Sequence, residues 1–273
     1  MSALRPVDTA VPASSFGENE PLYFRIYGNY AGAGPRFYDP ATLPWTAILR
    51  RECPAIRAEL QAYLEHGGRF AEHFIPDRVD IRGWGGIKLV TQRRPYRQAL
   101  RAFPHTASVL ATIPDLVSAS FSVLEPGARL PQHCGDTNLF YRAHLGLVVP
   151  GPAELCGIEV DGERRGWEEG GVVVFNDARR HYVWNLSDRP RIILMCDVMK
   201  PEYGGGNLRN CSLVLGAIAL LYLQFRVPFL QRLPRPAIRA MHEAASLPFR
   251  AYLAACAWPP GLAPDRRHGA TLE

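Results

Sequence analysis

The pattern of apolar and polar residues first predicts an amphipathic helix over residues 42–65. Its apolar side chains recur at steps of three and four, which places them along one stripe of a helix. Asp39 or Thr42 is suited to cap the first turn and Gly67 to end the helix. The stripe consists of Trp45, Ile48, Leu49, Cys53, Ile56, Leu60, Tyr63 and Leu64. A strand is predicted at 87–90 and a short helix at 106–112, whereas residues 1–20 are small and polar and predict disorder.

Short apolar segments then predict a series of six strands. They are residues 119–124, 144–149, 155–160, 172–175, 182–185 and 192–198. Pro-Gly, Asp-Gly and Gly-Gly pairs separate them, and Asp161-Gly162 is a strong hairpin signal. Short strands at this spacing, with helices on one side, favour a sandwich or a jelly roll. The predicted fold class is therefore mainly β with flanking helices, over a domain of residues 21–206.

The character of the chain changes after the glycine run at 204–206. Residues 212–225 are almost continuously apolar, and four arginines then appear among Leu, Phe and Pro. A stretch of 14 apolar residues is shorter than the ~20 needed to cross a bilayer. A buried or dimerising helix, a segment lying on the membrane surface and a true span all stay open. Residues 207–273 are predicted to form a helical, apolar and basic C-terminal extension.

Composition narrows the setting of the protein. A net charge of +5 without a long basic block indicates a modestly positive surface, which does not favour nucleic acid as a partner. None of the six cysteines forms a CxxC pair, and the first 20 residues lack an apolar core of signal-peptide length. We therefore expect a reducing, cytoplasmic setting with buried cysteines, and peripheral membrane contact through 212–225 as an alternative. The oligomeric state is left open.

Candidate chemistry lies among the predicted strands. His133 and His181 are 48 residues apart, each near the end of a predicted strand, and Arg191 follows ten residues after the second histidine. Imidazoles are ligands of iron and similar metals, and a guanidinium forms a planar fork that matches a carboxylate. A lone histidine is more often structural and a lone arginine more often at the surface. Together at this spacing they indicate a β-barrel that holds an iron ion and a 2-oxo acid.

The residues near the first histidine leave the ligand set open. A common non-haem iron site carries a carboxylate two residues after that histidine, but here the position is Gly135. Either Asp136 bends inward to replace it, or the site works with two imidazoles and water. Arg142 and His144 alternate on one strand, so they point to one face and indicate a lined pocket. Ser122 is placed to add a hydroxyl to that pocket.

Several of these segments together resemble the aspartyl/asparaginyl β-hydroxylase family. They are FSVLEPGARLPQHCGDTN, RAHLGLVVP, CGIEVDGERRGWEEGGVVVFND, RRHYVWN and RIILMCDVMKPE, in order and nearly without gaps. The resemblance covers about residues 85–203 and, more loosely, the helix at 45–65. It implies a double-stranded β-helix core and an oxygenase that uses Fe(II), 2-oxoglutarate and O2.

The resemblance also implies a role for individual residues. His133 and His181 match the two catalytic, iron-binding histidines, and Gly135 matches a glycine that this family carries in place of the acid. Arg191 matches the arginine that binds the distal carboxylate of 2-oxoglutarate. Further co-substrate positions are matched by Ser122, Arg142 and His144, and aromatic positions that favour packing are matched by Trp167 and Trp184.

One departure affects the substrate. Family members that act on aspartyl side chains carry an arginine at the position of Phe140, so an acidic substrate loses a contact worth about 1.5–3 kcal/mol here. The first expectation is nevertheless hydroxylation of the β-carbon of an aspartyl, asparaginyl or other amino-acid substrate. The second is an acyl-chain hydroxylase at a membrane, because lipid A hydroxylases share the DGER and CDV-type stretches. A third, of another class, is a non-catalytic metal-binding barrel.

Overall fold

A computed structural model describes residues 34–72, 82–204 and 207–256. The helices are α1 (Trp45–Glu65), α2 (Arg97–Ala102), α3 (Pro104–Thr112), α4 (Pro201–Gly204), α5 (Asn207–Arg226) and α6 (Arg235–Ala255), with 3-10 turns at Pro40–Thr42 and Pro228–Arg232. The first strands are β1 (Phe37–Tyr38), β2 (Ala71–Glu72), β3 (Trp84–Thr91), β4 (Arg94–Pro95), β5 (Leu116–Leu124) and β6 (Arg129–His133). The others are β7 (Phe140–Val148), β8 (Cys156–Val160), β9 (Glu163–Gly166), β10 (Val172–Phe175), β11 (His181–Asn185) and β12 (Arg191–Met199). The disorder predicted for residues 1–20 lies outside the described residues.

The strands form two antiparallel sheets that enclose an apolar layer. The larger sheet has the order β1-β10-β7-β12-β5-β3-β2, with β4 beside β3, and the smaller sheet has the order β6-β11-β8-β9. Leu124 and Ile193 of the larger sheet pack with Ile158 and Val183 of the smaller one. The predicted double-stranded β-helix with flanking helices is therefore confirmed. Each of the six predicted strands is present, most of them longer than the apolar run that predicted them.

Helices cover the other face of the larger sheet. The buried stripe of α1 packs with α3 and with one side of β5, β7 and β12, and it includes Leu49, Ile56 and Leu60. Glu59 of α1 accepts hydrogen bonds from the backbone N–H groups of His105 and Thr106, at 2.8 and 2.9 Å, and so caps the start of α3. Strand side chains alternate between faces, so the other side of these strands is left for the barrel interior.

The hairpin between β8 and β9 turns where the sequence predicts it. Asp161 and Gly162 both have positive φ, at 44° and 83°, as a two-residue type I′ turn requires.

Four of the cysteines are buried, namely Cys53, Cys156, Cys196 and Cys211, and all six are free thiols. The expectation of buried, unpaired cysteines is therefore confirmed for these four.

The C-terminal helices pack on each other and on one end of the barrel. Gly216 lets α5 approach α6 closely, since a Cβ there would lie 3.0 Å from the Cβ of Ser246. His242 of α6 is fully buried, and its Nε2 lies 2.6 Å from the carbonyl oxygen of Leu213. The helix α5 has 20 residues, so the 14-residue apolar run understated its length. By length and composition alone α5 could cross a membrane, although 44% of its most apolar window is buried against the protein.

Candidate active site

Two imidazoles face each other where the smaller sheet ends. His133 is the last residue of β6 and His181 the first of β11, and the two are register partners. Their ring centroids are 4.2 Å apart with an angle of 55° between the planes. The register shifts beside His181, an irregularity that commonly re-aims side chains next to active sites. This spacing suits two rings that reach one metal ion through bonds of about 2 Å.

Backbone carbonyls orient both rings in the same way. Nδ1 of His133 lies 2.9 Å from the carbonyl oxygen of Pro131, and Nδ1 of His181 lies 2.8 Å from that of Arg179. A carbonyl oxygen only accepts, so each Nδ1 carries the proton and the lone pair of each neutral ring is on Nε2. Metal-binding histidines are typically held in this way by a second partner.

A carboxylate that sequence reasoning missed lies against this pair. Asp177 is buried, and its Oδ1 is 3.4 Å from Nε2 of His181. A Cβ on Gly135 would overlap the Asp177 carboxylate, and the Gly135 N–H donates to the Asp177 carbonyl oxygen at 2.7 Å. The space that a side chain at position 135 would fill is thus taken by Asp177. Asp136 is exposed, so the buried acid beside the imidazoles is Asp177, and of the two alternatives left open by the sequence the structure does not favour Asp136.

Arg142 joins Asp177 to a second buried acid. Its Nε and Nη2 donate to the two carboxylate oxygens of Asp197 at 2.7 and 2.9 Å, and its Nη1 donates to Asp177 at 2.5 Å. Burial alone would lower the pKa of Arg142, but the carboxylates of Asp177 and Asp197 outweigh it and raise that pKa. Three of its five N–H donors are therefore used inside the protein. Its co-substrate contact stays a prediction.

Arg191 has the opposite surroundings. It begins β12, its side chain is 3% exposed, and no carboxylate of the described residues pairs with it. Its Nε lacks a hydrogen-bond partner, and its Cζ lies 5.1 Å from the centre of the Trp167 ring. Burial lowers the pKa of Arg191 to about 10, with only the Cys156 thiol opposing this shift. A buried cation without a counter-ion indicates a place for an anionic ligand.

His144 and Trp167 add further unsatisfied polar atoms on the same side. Both ring nitrogens of His144 and Nε1 of Trp167 are buried without a hydrogen-bond partner. The two rings stack with centroids 5.9 Å apart, and the Phe175 ring lies between His144 and His181, 5.0 and 5.2 Å from them. Burial first, and then the Arg191, Arg142 and His181 charges, keep the pKa of His144 well below its ordinary value. His144 is therefore a neutral ring that can donate or accept.

The other predicted residues occupy the walls. Ser122 is buried, pairs in register with Ile193 and accepts a hydrogen bond from Trp84 Nε1 at 3.1 Å. Trp184 donates from Nε1 to the Ala153 carbonyl oxygen at 3.1 Å. The structure thus brings His133, His181, Arg191, His144 and Ser122 to one barrel interior. Their chemical roles stay predictions.

The donor set fits the group that the sequence implies. Two imidazoles with oriented Nε2 atoms suit a ferrous ion, and an unpaired buried guanidinium beside orphaned His144 and Trp167 nitrogens suits a dicarboxylate. Among the described residues, no three His, Cys, Asp or Glu side chains are grouped so that they could hold a metal by themselves. The set present is two imidazoles with Asp177 close by.

Apolar side chains from β7 and α5 meet beside this site. Leu139, Phe140 and Ala178, the last directly after Asp177, pack with Leu213 and Val214 of α5 in one buried cluster. Phe140 is 5% exposed and stands where an acid-binding arginine was considered from the sequence. The protein next to Asp177 on this side is therefore apolar.

Comparison with known proteins gives one consistent family. The sequence profile of the aspartyl/asparaginyl beta-hydroxylase family matches residues 50–201. The chain is 36% identical to the ornithine lipid ester-linked acyl 2-hydroxylase of Rhizobium tropici over 196 residues, which cover 69% of each protein. It is 34% identical over 137 residues to the human aspartyl/asparaginyl beta-hydroxylase, covering 47% of this chain and 18% of the human protein.

Among solved structures, the non-heme alpha ketoglutarate dependent carbocyclase SnoK aligns with a TM-score of 0.40 and 17% identity, over 55% of this chain and 75% of that one. The profile match spans more than half of the chain and contains both histidines, Gly135, Asp177 and Arg191. The chain therefore belongs to the aspartyl/asparaginyl β-hydroxylase family of hydroxylases.

Proposed function

We propose that this protein is an Fe(II)- and 2-oxoglutarate-dependent dioxygenase that hydroxylates the acyl chain of a membrane lipid. The observation that carries the co-substrate assignment is the buried Arg191, which has no counter-ion in the described part of the chain. When bound, iron with 2-oxoglutarate and O2 supplies the oxidising chemistry, so that succinate and CO2 leave as one oxygen atom enters a C–H bond.

The residues of the chain position these groups. His133 and His181 would hold the ion through Nε2, since their Nδ1 atoms are engaged by carbonyl oxygens. Arg191 would bind the distal carboxylate of the co-substrate, with His144 and Trp167 supplying polar ring nitrogens nearby. His181, His144 and Arg191 are buried, and the low dielectric of the interior would strengthen their electrostatic contacts.

Two features favour an acyl chain over an acidic amino acid. Phe140 offers no charge for a substrate carboxylate, and Arg142 is committed to Asp177 and Asp197. The similarity to an acyl 2-hydroxylase also extends over a larger part of both proteins than the similarity to the human hydroxylase. Hydroxylation of an aspartyl, asparaginyl or free amino-acid β-carbon stays the second candidate, because the imidazole pair and Arg191 would serve either substrate.

The experiment is a turnover assay on the folded, iron-loaded protein. Succinate and CO2 should form from 2-oxoglutarate, and mass spectrometry should find one added oxygen in a lipid extract but not in peptides or free amino acids. An added oxygen in a peptide or amino acid would favour the second candidate. Absence of succinate, CO2 and product from every substrate class would favour a metal-binding barrel without catalysis.

A further inference from the structure

The end of α5 and the turn that follows it carry an exposed apolar surface, defined here as the hairpin tip: Tyr222, Leu223, Phe225, Val227 and Phe229. Eight large hydrophobic side chains are exposed among the described residues, and five of them belong to this tip. Phe229 is 65% exposed and Phe225 53%. Apolar surface concentrated in this way commonly marks an interaction site.

The charge around the tip has one sign. The sequence from Tyr203 to His242 contains five arginines and no Asp or Glu. Arg226, Arg232 and Arg235 are exposed next to the tip. Each arginine near an anionic lipid surface strengthens binding about fivefold, whereas a neutral or cationic partner would gain nothing from them. A partner that complements this surface has an apolar interior and an anionic outer layer, as an anionic bilayer does at its headgroup region.

The packing of α5 distinguishes lying on a membrane from crossing it. Its first half contributes Cys211, Leu213, Val214 and Ala217 to the cluster against the barrel. Further along, Leu220 packs with Ile238 of α6. A span would have to remove these side chains from the protein, whereas the most exposed apolar side chains of this region lie at the end of the helix and in the following turn.

We propose that the hairpin tip inserts into the surface of an anionic membrane and holds the barrel there, with α5 still packed on the protein. This surface overlaps the segment 212–225, for which membrane contact was predicted, at Tyr222, Leu223 and Phe225, and it continues past that segment to Val227 and Phe229. The inference does not depend on the substrate, because an amino-acid hydroxylase could be held at a membrane in the same way.

The test is flotation of the full chain with vesicles of phosphatidylcholine alone or mixed with phosphatidylglycerol. Wild type should float with the mixed vesicles and much less with phosphatidylcholine. The double substitution Phe225→Ser and Phe229→Ser should weaken binding at least tenfold. Replacing Arg226 and Arg232 by Gln should weaken it on the order of 25-fold at low salt and less at high salt.

Matched controls separate the tip from general changes of surface. Leu155→Ser removes an exposed apolar side chain, 43% exposed, from the barrel, and Arg101→Gln removes an exposed charge from α2. Both should bind as wild type does, and all variants should keep the wild-type melting temperature. The proposal is overturned if wild type does not bind mixed vesicles or if the controls lose binding as much as the tip variants do. It is also overturned if light scattering shows that wild type is a dimer that does not bind vesicles and that the tip substitutions dissociate this dimer.

A second measurement tests the mode of binding. Protein bound to anionic vesicles should be released by alkaline carbonate, as expected for a surface-inserted tip. Resistance to that extraction would show a span and would overturn the surface mode. Turnover of 2-oxoglutarate should be the same in the tip variants and in wild type, because the tip contains none of the residues of the candidate active site.

Discussion

Two arginines inside the barrel, Arg142 half-buried and Arg191 buried, show how one residue type serves two purposes. Arg142 is held by three hydrogen bonds to two carboxylates. Arg191 is more deeply buried, at 3% exposed against 22% for the Arg142 side chain, but no carboxylate of the described residues reaches it, and its Cζ lies 5.1 Å from the centre of the Trp167 ring. The carboxylates raise the pKa of Arg142 above its ordinary value despite burial, whereas burial lowers that of Arg191 to about 10.

The difference in surroundings distinguishes an arginine that stabilises the fold from one that is available to bind a ligand. A charge inside a protein is tolerated when it is paired and hydrogen-bonded, so we interpret Arg142 with Asp177 and Asp197 as part of the protein's own framework. A buried charge without a partner is unfavourable until a ligand supplies the opposite charge. On this basis we propose Arg191 as the binding residue and Arg142 as the residue that positions Asp177 beside the imidazoles.

Removing Arg142 should therefore have the largest effect on folding. Arg142→Met leaves Asp177 and Asp197 buried without their counter-ion, and breaking such a network costs about 3–5 kcal/mol of unfolding free energy. Urea denaturation of the metal-free protein measures this. The prediction fails if Arg142→Met is destabilised by no more than an exposed control such as Arg101→Gln.

The same substitution at Arg191 should do the reverse. Arg191→Met removes an unpaired buried charge, so the unfolding free energy should stay equal or increase, while 2-oxoglutarate binding should weaken by about 1.5–3 kcal/mol, or more than tenfold. Calorimetry with 2-oxoglutarate measures co-substrate binding, and a separate titration with iron measures metal affinity. The affinity for iron should hardly change. Arg191→Lys should recover only part of the binding, because an ammonium lacks the planar fork. Unaltered co-substrate affinity in Arg191→Met would remove Arg191 from its assigned role.

The contact between Gly135 and Asp177 should be visible as coupling. Gly135→Ala places a Cβ on the Asp177 carboxylate and should cost about 1–3 kcal/mol of stability. Asp177→Ala should cost stability too, because it takes a partner from Arg142. The double variant should be less destabilised than the sum, by about 0.5–3 kcal/mol. Gly151→Ala, whose Cβ would meet only Leu155, should add to Asp177→Ala without coupling.

Periodicity predicted the elements that bury one continuous apolar face. The stripe of α1 and the six apolar strands were found because burial of apolar side chains is what their pattern encodes. The strand β6 was missed because its segment RLPQH contains a proline and polar side chains, and β9 was missed as a strand because ERRG is an exposed sheet edge. The hairpin signal at Asp161-Gly162 still fixed where β9 begins.

The candidate site could be predicted from the sequence only in part, for a different reason. His133, His181 and Arg191 could be named because their residue types carry the chemistry and each lies at a strand end. Asp177 lies four residues before His181, but its contact with Gly135 depends on how two loops meet across the sheet. Likewise, the start of α5 is polar in sequence and is fixed by a tertiary contact, in which Asn207 donates to Asp115 at 3.2 Å. Such contacts have no signal in local periodicity.

The smallest predicted effect concerns His144, which is close enough to both arginines for their charges to act on it. Burial, followed by the Arg191, Arg142 and His181 charges, lowers the pKa of His144 in the folded protein. The unfolded chain keeps a histidine pKa of about 6.5. As pH falls below that value, the unfolded state takes up a proton that the folded state does not. The unfolding free energy therefore decreases as the pH is lowered, by at most about 1.4 kcal/mol per pH unit.

His144→Phe removes this linkage and should flatten the dependence of stability on pH between about 7 and 5 in the metal-free protein. Replacement of the exposed His66 by Asn is the matched control and should leave the slope as in wild type. Because Arg191 is the first charge that opposes protonation of His144, Arg191→Met should also reduce the slope, by less than His144→Phe does. An equal slope in wild type and Arg191→Met would mean that the unpaired guanidinium does not act on its neighbour, and the contrast between the two arginines would then rest on contacts alone.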